Sequence, residues 1–304
     1  MTALPAGHTL SRPTEHDVPD ILVMLHASDI ASIGAPEFDE AQVRDILAAP
    51  DFDPALDAWL VRDADGRVVC LGYLEPEESS VFCEVYRHPD SVGDAHRPVL
   101  DLLLARCAER TREAGLSELV VRGGGVPGSE EWWLAALAGA GFAFEYQSAR
   151  MTRELTGTEQ APTPPSGVVV RPMAVEELGG FHAVMVEAFA TARRPYTPDD
   201  TGQWDDCLVC EVDGEWAAAL RSTDQRADRG EGWVKLLGVR PAYRGRGLGR
   251  LLLETAFAGH AARGRTATGL GVDTSNPTGA YQLYQSVGMA TAYAANICQL
   301  TLRV

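Results

Sequence analysis

The chain has 304 residues, 45% of them hydrophobic, which is enough for two cores, and no apolar run long enough to span a bilayer. Its 26 basic and 43 acidic residues leave a net charge of −17, concentrated in residues 1–155, which hold 12 Arg, no Lys and 27 acids, against 14 basic and 16 acidic residues in 156–304. An acidic first half repels phosphate backbones and anionic lipid, so nucleic acid and membrane surfaces are excluded as partners and an anionic ligand is expected in the second half. The first ten residues lack the basic and apolar pattern of a secretory leader. The six cysteines include one Cys207-x-x-Cys210 pair, with no second pair or histidine cluster to complete a metal site. The expectation is a cytoplasmic protein with free thiols and no metal.

In chain order, Leu10-Ser11-Arg12-Pro13 opens onto a predicted helix. Trp59–Asp63 followed by Gly66 reads as strand and turn, Val85–Pro89 as a strand end, and Leu100–Gly115 as a helix with an apolar stripe. Leu119-Val120-Val121 reads as a buried strand, and Gly141-Phe142 closes a helix before a final strand. Thr156–Gly167, TGTEQAPTPPSG, is polar, rich in Pro and Gly and aperiodic, and reads as a linker. The same order then returns. Val170-Arg171-Pro172, Leu208–Val212 with Gly214, Gly238–Pro241, Leu251–Gly264, Leu270–Val272 and Gly288-Met289 repeat the first series. The expectation is an internal duplication, 1–155 and 168–304 joined by 156–167, each half α/β with a mixed sheet.

The chemistry concentrates between Trp233 and Arg250. An apolar strand, Trp233–Val239, leads through Arg240-Pro241-Ala242-Tyr243 into Arg244-Gly245-Arg246-Gly247-Leu248-Gly249, which opens a helix from Arg250. A glycine-rich turn at a helix start presents free backbone N–H groups and the positive end of the helix dipole. Arg244, Arg246 and Arg250 add cations, so the pattern predicts a pyrophosphate cradle. The glycines at 245, 247 and 249 fit neither the dinucleotide fingerprint nor the Walker pattern.

Arg244-x-x-Gly247-x-Gly249 after Val239-Arg240-Pro241 resembles the acetyl-CoA motif of the GNAT N-acetyltransferase superfamily. Asn276, Ala280, Tyr284, Gly288 and Met289 resemble its second motif, with Met289 in place of the usual Phe. The tandem arrangement is similar to the mycothiol synthase group. The resemblance implies two GNAT-like domains, each a mixed, mostly antiparallel sheet flanked by helices. It implies acetyl-CoA as donor and a primary amine as acceptor, transferred directly in a ternary complex. The strand before the loop would splay from its neighbour; Leu237, Gly238 and Val239 would hold the pantetheine arm and acyl carbonyl, and Arg244–Arg250 the pyrophosphate. Asn276 would touch pantetheine or cap the helix after Pro277. Tyr284 would be the general acid. Glu231 would be the general base, on one strand face with 233, 235, 237 and 239.

The first half departs from the motif. Asp90-Ser91-Val92-Gly93-Asp94-Ala95-His96 has no arginine–glycine cradle and places two aspartates where phosphates would lie. The expectation is one donor site per chain, with Glu187–Asp206 lining the acceptor side and a small-molecule amine as partner to a monomer or homodimer. Mycothiol synthesis, protein N-acetylation and non-enzymatic acyl-CoA sensing are the competing readings.

Overall fold

The computed structural model describes residues 3–49, 51–77, 80–193, 195–198, 204 and 206–304. The first half runs β1 (Thr9–Ser11), α1 (Val18–Ile33), α2 (Glu40–Leu47), α3 (Pro54–Asp57), β2 (Ala58–Arg62), β3 (Val68–Pro76), β4 (Ser80–Arg87), α4 (His96–Glu113), β5 (Glu118–Gly125), α5 (Glu131–Gly139) and β6 (Ala143–Glu154). The second half runs β7 (Val168–Pro172), α6 (Leu178–Phe189), β8 (Cys207–Val212), β9 (Glu215–Thr223), β10 (Glu231–Val239), α7 (Leu248–Ala262), β11 (Ala267–Asp273), α8 (Ala280–Ser286) and β12 (Ala290–Arg303). This is an α/β fold with mixed sheet flanked by helices. No helix among the described residues is long and apolar enough to cross a membrane.

The chain forms two compact units, Met1–Gln147 with Tyr293–Val304, and Ser148–Ala292. The units part within β6 rather than at 156–167. The sheet of the first unit is ordered β1-β2-β3-β4-β5-β12, so the last strand of the sequence completes it. That of the second is ordered β6-β11-β10-β9-β8-β7, and Ser148–Glu154 of β6 flank β11. Among the described residues, each unit has one parallel strand pair, β4 with β5 and β10 with β11, beside antiparallel neighbours.

Local chemistry accounts for these elements. Asp213 and Gly214, at φ 52° and 85°, form the two-residue turn between β8 and β9, both in the left-handed region that such hairpins require. In α7, Leu248, Leu252, Leu253, Ala256, Phe257 and His260 form a buried stripe, and in α4 the stripe is Val99, Leu103 and Cys107. Helices α6 and α7 cover opposite faces of the second sheet. A side chain at Gly238 of β10 would lie 2.7 Å from Met185 Sδ of α6, whereas one at Gly249 of α7 would face Val239 and Leu237 of β10.

Candidate active site

Strand β10 carries two structural events that build the site. Its ladder with β11 ends after three residues, at Trp233 opposite Gly269. Both strands continue, β10 to Val239 and β11 to Asp273, but β11 then pairs only along its other edge, with β6. The two strands therefore part, as the resemblance implies, and Val234–Val239 face a gap instead of a neighbouring ladder.

The second event is a β-bulge. Against β9, Val234 pairs with Ser222 and Leu236 with Arg221, so exposed Lys235 is the extra residue. A bulge shifts side-chain alternation by one. Before it, Gly232 faces α7, where a side chain would overlap the His260 ring; after it, Gly238 faces α6 instead. The expectation that 231 to 239 share one face through their odd residues is therefore corrected. Glu231 and Trp233 point away from α7, and Leu237 and Val239 point toward it.

Beyond Val239, the chain makes a 3-10 turn over Pro241–Tyr243 and enters the glycine loop. Gly247 caps α7 at φ 79°, and a Cβ there would meet nothing within 4 Å, so backbone conformation rather than crowding requires glycine. The helical ladder begins with Leu251 N–H donating to the Gly247 carbonyl at 3.0 Å. The N–H groups of Leu248, Gly249 and Arg250 precede it, at the positive end of a 15-residue helix. Gly249 lets α7 approach α8, since a Cβ would lie 3.0 Å from Leu283.

The three arginines divide their labour. Arg244 donates to the Ala188 carbonyl at 2.8 Å and to the Val239 carbonyl at 3.2 Å, clasping the loop to α6 and β10. Arg250 donates to Ser286 Oγ at 2.8 Å and to the Ser286 carbonyl, tying α7 to the end of α8. Arg246 lies exposed, its guanidinium 5.3 Å from the Tyr243 ring. The groups of the loop left open to an anion are thus mainly backbone N–H groups with Arg246.

Tyr284 lies on α8, 9% exposed, and its hydroxyl has no hydrogen-bond partner among the described residues. Burial pushes its pKa up to about 12, which keeps the phenol protonated and able to donate. Tyr281, one turn earlier, is spent on Thr291 Oγ1 at 2.9 Å. Asn276 caps its own turn: Oδ1 accepts from Thr278 N–H at 3.0 Å and Thr278 Oγ1 at 2.7 Å, while Gly279 takes the N-cap position of α8.

Glu231 does not fit the role of base. It is 6% exposed, and its oxygens accept from Arg150 at 2.6 and 2.8 Å and from Arg226 at 2.8 Å. Both guanidiniums also lie 5.5 Å from the Trp233 ring. It sits eight positions before Val239, roughly 26 Å along an extended strand, and faces the other way. Its part is to fasten the paired end of β10 to β6.

In the expected acceptor segment, Arg194, Asp199, Asp200 and Asp205 lie outside the described residues. Trp204 is 5% exposed and packs edge-on to Phe181 and His182, and Tyr196 shares a 2.7 Å hydrogen bond with His182 Nδ1, so both aromatics brace α6. Arg193 donates to Asp273 Oδ2 at 3.2 Å, at the gap end of β11. Sequence reasoning missed the bulge and Met185; the lone lysine within the apolar run 233–239 was the available signal for the bulge.

No curated protein matches the chain. Among solved structures it is similar to a GCN5-related N-acetyltransferase from Sphaerobacter thermophilus, at 22% identity and TM-score 0.87, covering 99% of this chain and 98% of that one. A GCN5-related glucosamine N-acetyltransferase region of a fungal multi-domain β-N-acetylglucosaminidase aligns at 16% identity and TM-score 0.69, over 98% of this chain and 38% of that one. A tandem GNAT protein from the clavulanic acid biosynthesis pathway aligns at 15% identity and TM-score 0.67, over 97% and 98%. At these identities the likeness is one of fold. Residues 180–289, which contain the parted strand, the glycine loop and Tyr284, match the acetyltransferase (GNAT) family. The second half of the chain therefore carries a GNAT acetyltransferase domain.

Proposed function

We propose that the protein is an acetyl-CoA-dependent N-acetyltransferase acting on the primary amine of a small molecule, with a single donor site in the second unit and a first unit that is GNAT-like but lacks a donor loop. The observation that carries this reading is the parting of β10 from β11 directly before the α7 N-terminus, with protonated Tyr284 on the adjoining helix. In it, the backbone of Leu237, Gly238 and Val239 holds the pantetheine arm and aims N–H groups at the acyl oxygen, where charge develops during attack. The loop Arg244–Arg250 holds the pyrophosphate, with Arg244 and Arg250 bracing the loop, and Asn276 fixes the turn beside the arm.

The amine nitrogen adds to the acyl carbon, the C–S bond then breaks, and its electron pair leaves on sulfur. Tyr284 gives its phenolic proton to that thiolate and recovers one from the newly formed ammonium. The cysteines of the second unit, Cys207 and Cys210, are buried on β8 and lie on neither the glycine loop nor α8, which supports direct transfer over an acyl-enzyme. With Glu231 held by two arginines, the amine sheds its proton on leaving water, so activity rises with pH toward the amine's own pKa.

The test is release of free CoA thiol from acetyl-CoA across a panel of amino sugars, a cysteinyl-amine glycoside, small diamines and peptide N-termini. An amino sugar or another small amine is expected to turn over. The cysteinyl glycoside alone would make the protein a mycothiol synthase, peptides alone a protein acetyltransferase, and CoA binding without any turnover a sensor. Tyr284→Phe is expected to lower kcat about 10²-fold or more with unchanged CoA affinity; an unchanged kcat makes Tyr284 a packing residue.

A further inference from the structure

The donor site also limits which acyl group can occupy it. A thioester carbon is planar, with three substituents about 120° apart. In the reading above, the oxygen meets the β10 backbone and the sulfur lies toward Tyr284, on the face that α7 and α8 share, where Leu283 of α8 abuts Gly249. The remaining substituent, the acyl chain, is left to run toward the α6 face.

That direction is closed. At Gly238, a Cβ would stand 2.7 Å from Met185 Sδ and 3.0 Å from Ala188 Cβ, so α6 lies directly on the backbone of β10. Met185 is fully buried in a cluster with Phe181, Val184 and Trp204, and Leu236 packs against the same cluster. Phe181 is fully buried and Trp204 nearly so, which leaves the thioether little space for retreat. An unbranched methionine can shift by one rotamer, so the limit is graded over the first carbons and steep beyond them.

We propose that Met185 is a specificity-determining residue that closes the acyl pocket and restricts the donor to short acyl groups, acetyl and propionyl; this rests on the donor site proposed above. The Met185 sulfur sets the depth of the pocket, Ala188 sets its width beside Gly238, and each added methylene of the acyl chain is driven into that sulfur.

The experiment measures affinity of the full chain for CoA, acetyl-CoA, butyryl-CoA and octanoyl-CoA by calorimetry. CoA and acetyl-CoA are expected to bind within about threefold of each other and octanoyl-CoA at least tenfold more weakly. Met185→Ala is expected to erase most of that difference, and Val186→Ala, on the exposed side of α6, to keep the wild-type order. Equal affinity of the wild-type chain for acetyl-CoA and octanoyl-CoA overturns the proposal while leaving the donor site standing, and needs no variant to fold. A folded Met185→Ala chain that still rejects octanoyl-CoA overturns it as well. Absence of CoA binding itself removes the donor site, and the proposal with it.

Discussion

Helices α4 and α7 begin at corresponding places in the two units, and only α7 begins on a glycine loop of the kind the proposed donor site needs. In both units the parallel pair before the helix is short: β4 leaves β5 after Phe82 opposite Arg122, as β10 leaves β11 after Trp233 opposite Gly269. In the second unit, Gly247 turns the chain into α7 and leaves its first N–H groups open. In the first, α4 starts at His96, a fully buried side chain packed 4.8 Å from Trp132, and the Arg87 guanidinium lies 4.4 Å from the same indole. Side chains thus occupy the space at α4 that glycine leaves clear at α7. The aligned position on the last helix is Leu137 instead of Tyr284, fully buried and without a proton to give. A parted strand is therefore a property of the scaffold in both units, and the chemistry resides in what the following helix start leaves empty.

The largest expected effect tests that difference directly. Gly247→Asp is expected to weaken CoA binding at least 100-fold, because a carboxylate enters the phosphate cradle. Gly247→Asn, which tolerates the same left-handed backbone without charge, is expected to lose much less. Calorimetry on the wild-type chain is expected to give one CoA per chain; two would mean that His96 and Trp132 do not close the first unit.

A smaller effect is expected from Glu231→Gln. Removing one member of a buried ion pair leaves arginine charge uncompensated and costs about 3–5 kcal/mol, so the melting temperature should fall while kcat per folded molecule stays within threefold. A 100-fold loss of kcat without loss of stability would restore Glu231 as the base.

The smallest effect is on stability as a function of pH. Burial lowers His260 to about 4, with Ser222 and Thr268 on its two nitrogens, and lowers His96 to about 4. A histidine kept neutral on folding takes up protons more readily unfolded, so stability is lost as pH falls from about 6.5 toward 4. In the first unit, burial raises Asp29 to about 6 and Glu84 to about 8. Their contribution has the opposite sign: present at low pH, it is lost as pH rises through those values. Below about pH 6 the two contributions offset each other, so the melting temperature is expected to decline mainly above about pH 6.5, and Glu84→Gln to reduce that alkaline decline by about 2–5 °C. An unaltered alkaline limb would mean that Glu84 ionises as freely as a surface carboxylate.

The glycine loop, the Asp213-Gly214 hairpin and the apolar stripe of α7 were legible in the sequence because each depends on residues within a few positions of one another. Tyr284 was legible as a position on a motif, and its isolation from hydrogen-bond partners only in three dimensions. The fate of Glu231 was hidden because one of its partners, Arg150, lies 81 residues away. Likewise, local patterns could mark 156–167 as irregular but could not reveal that residues near 300 pair with Leu119–Gly125. The face of each β10 side chain was misread because strict alternation was assumed, and a single unpaired residue reverses it.

That residue, Lys235, lets one strand perform two jobs that would otherwise compete. Before it, Glu231 and Trp233 face the arginines that hold the strand; after it, Leu237 and Val239 face the helix that starts at the cradle. Drawing Lys235 into the ladder would leave composition and strand propensity untouched, yet would rotate 236–239 by half a turn, driving Leu237 against Met185 and opening a void beneath Gly249. The frame of the candidate site is thus paired rather than merely composed: it depends on which residue the ladder leaves out as much as on the identity of those it keeps.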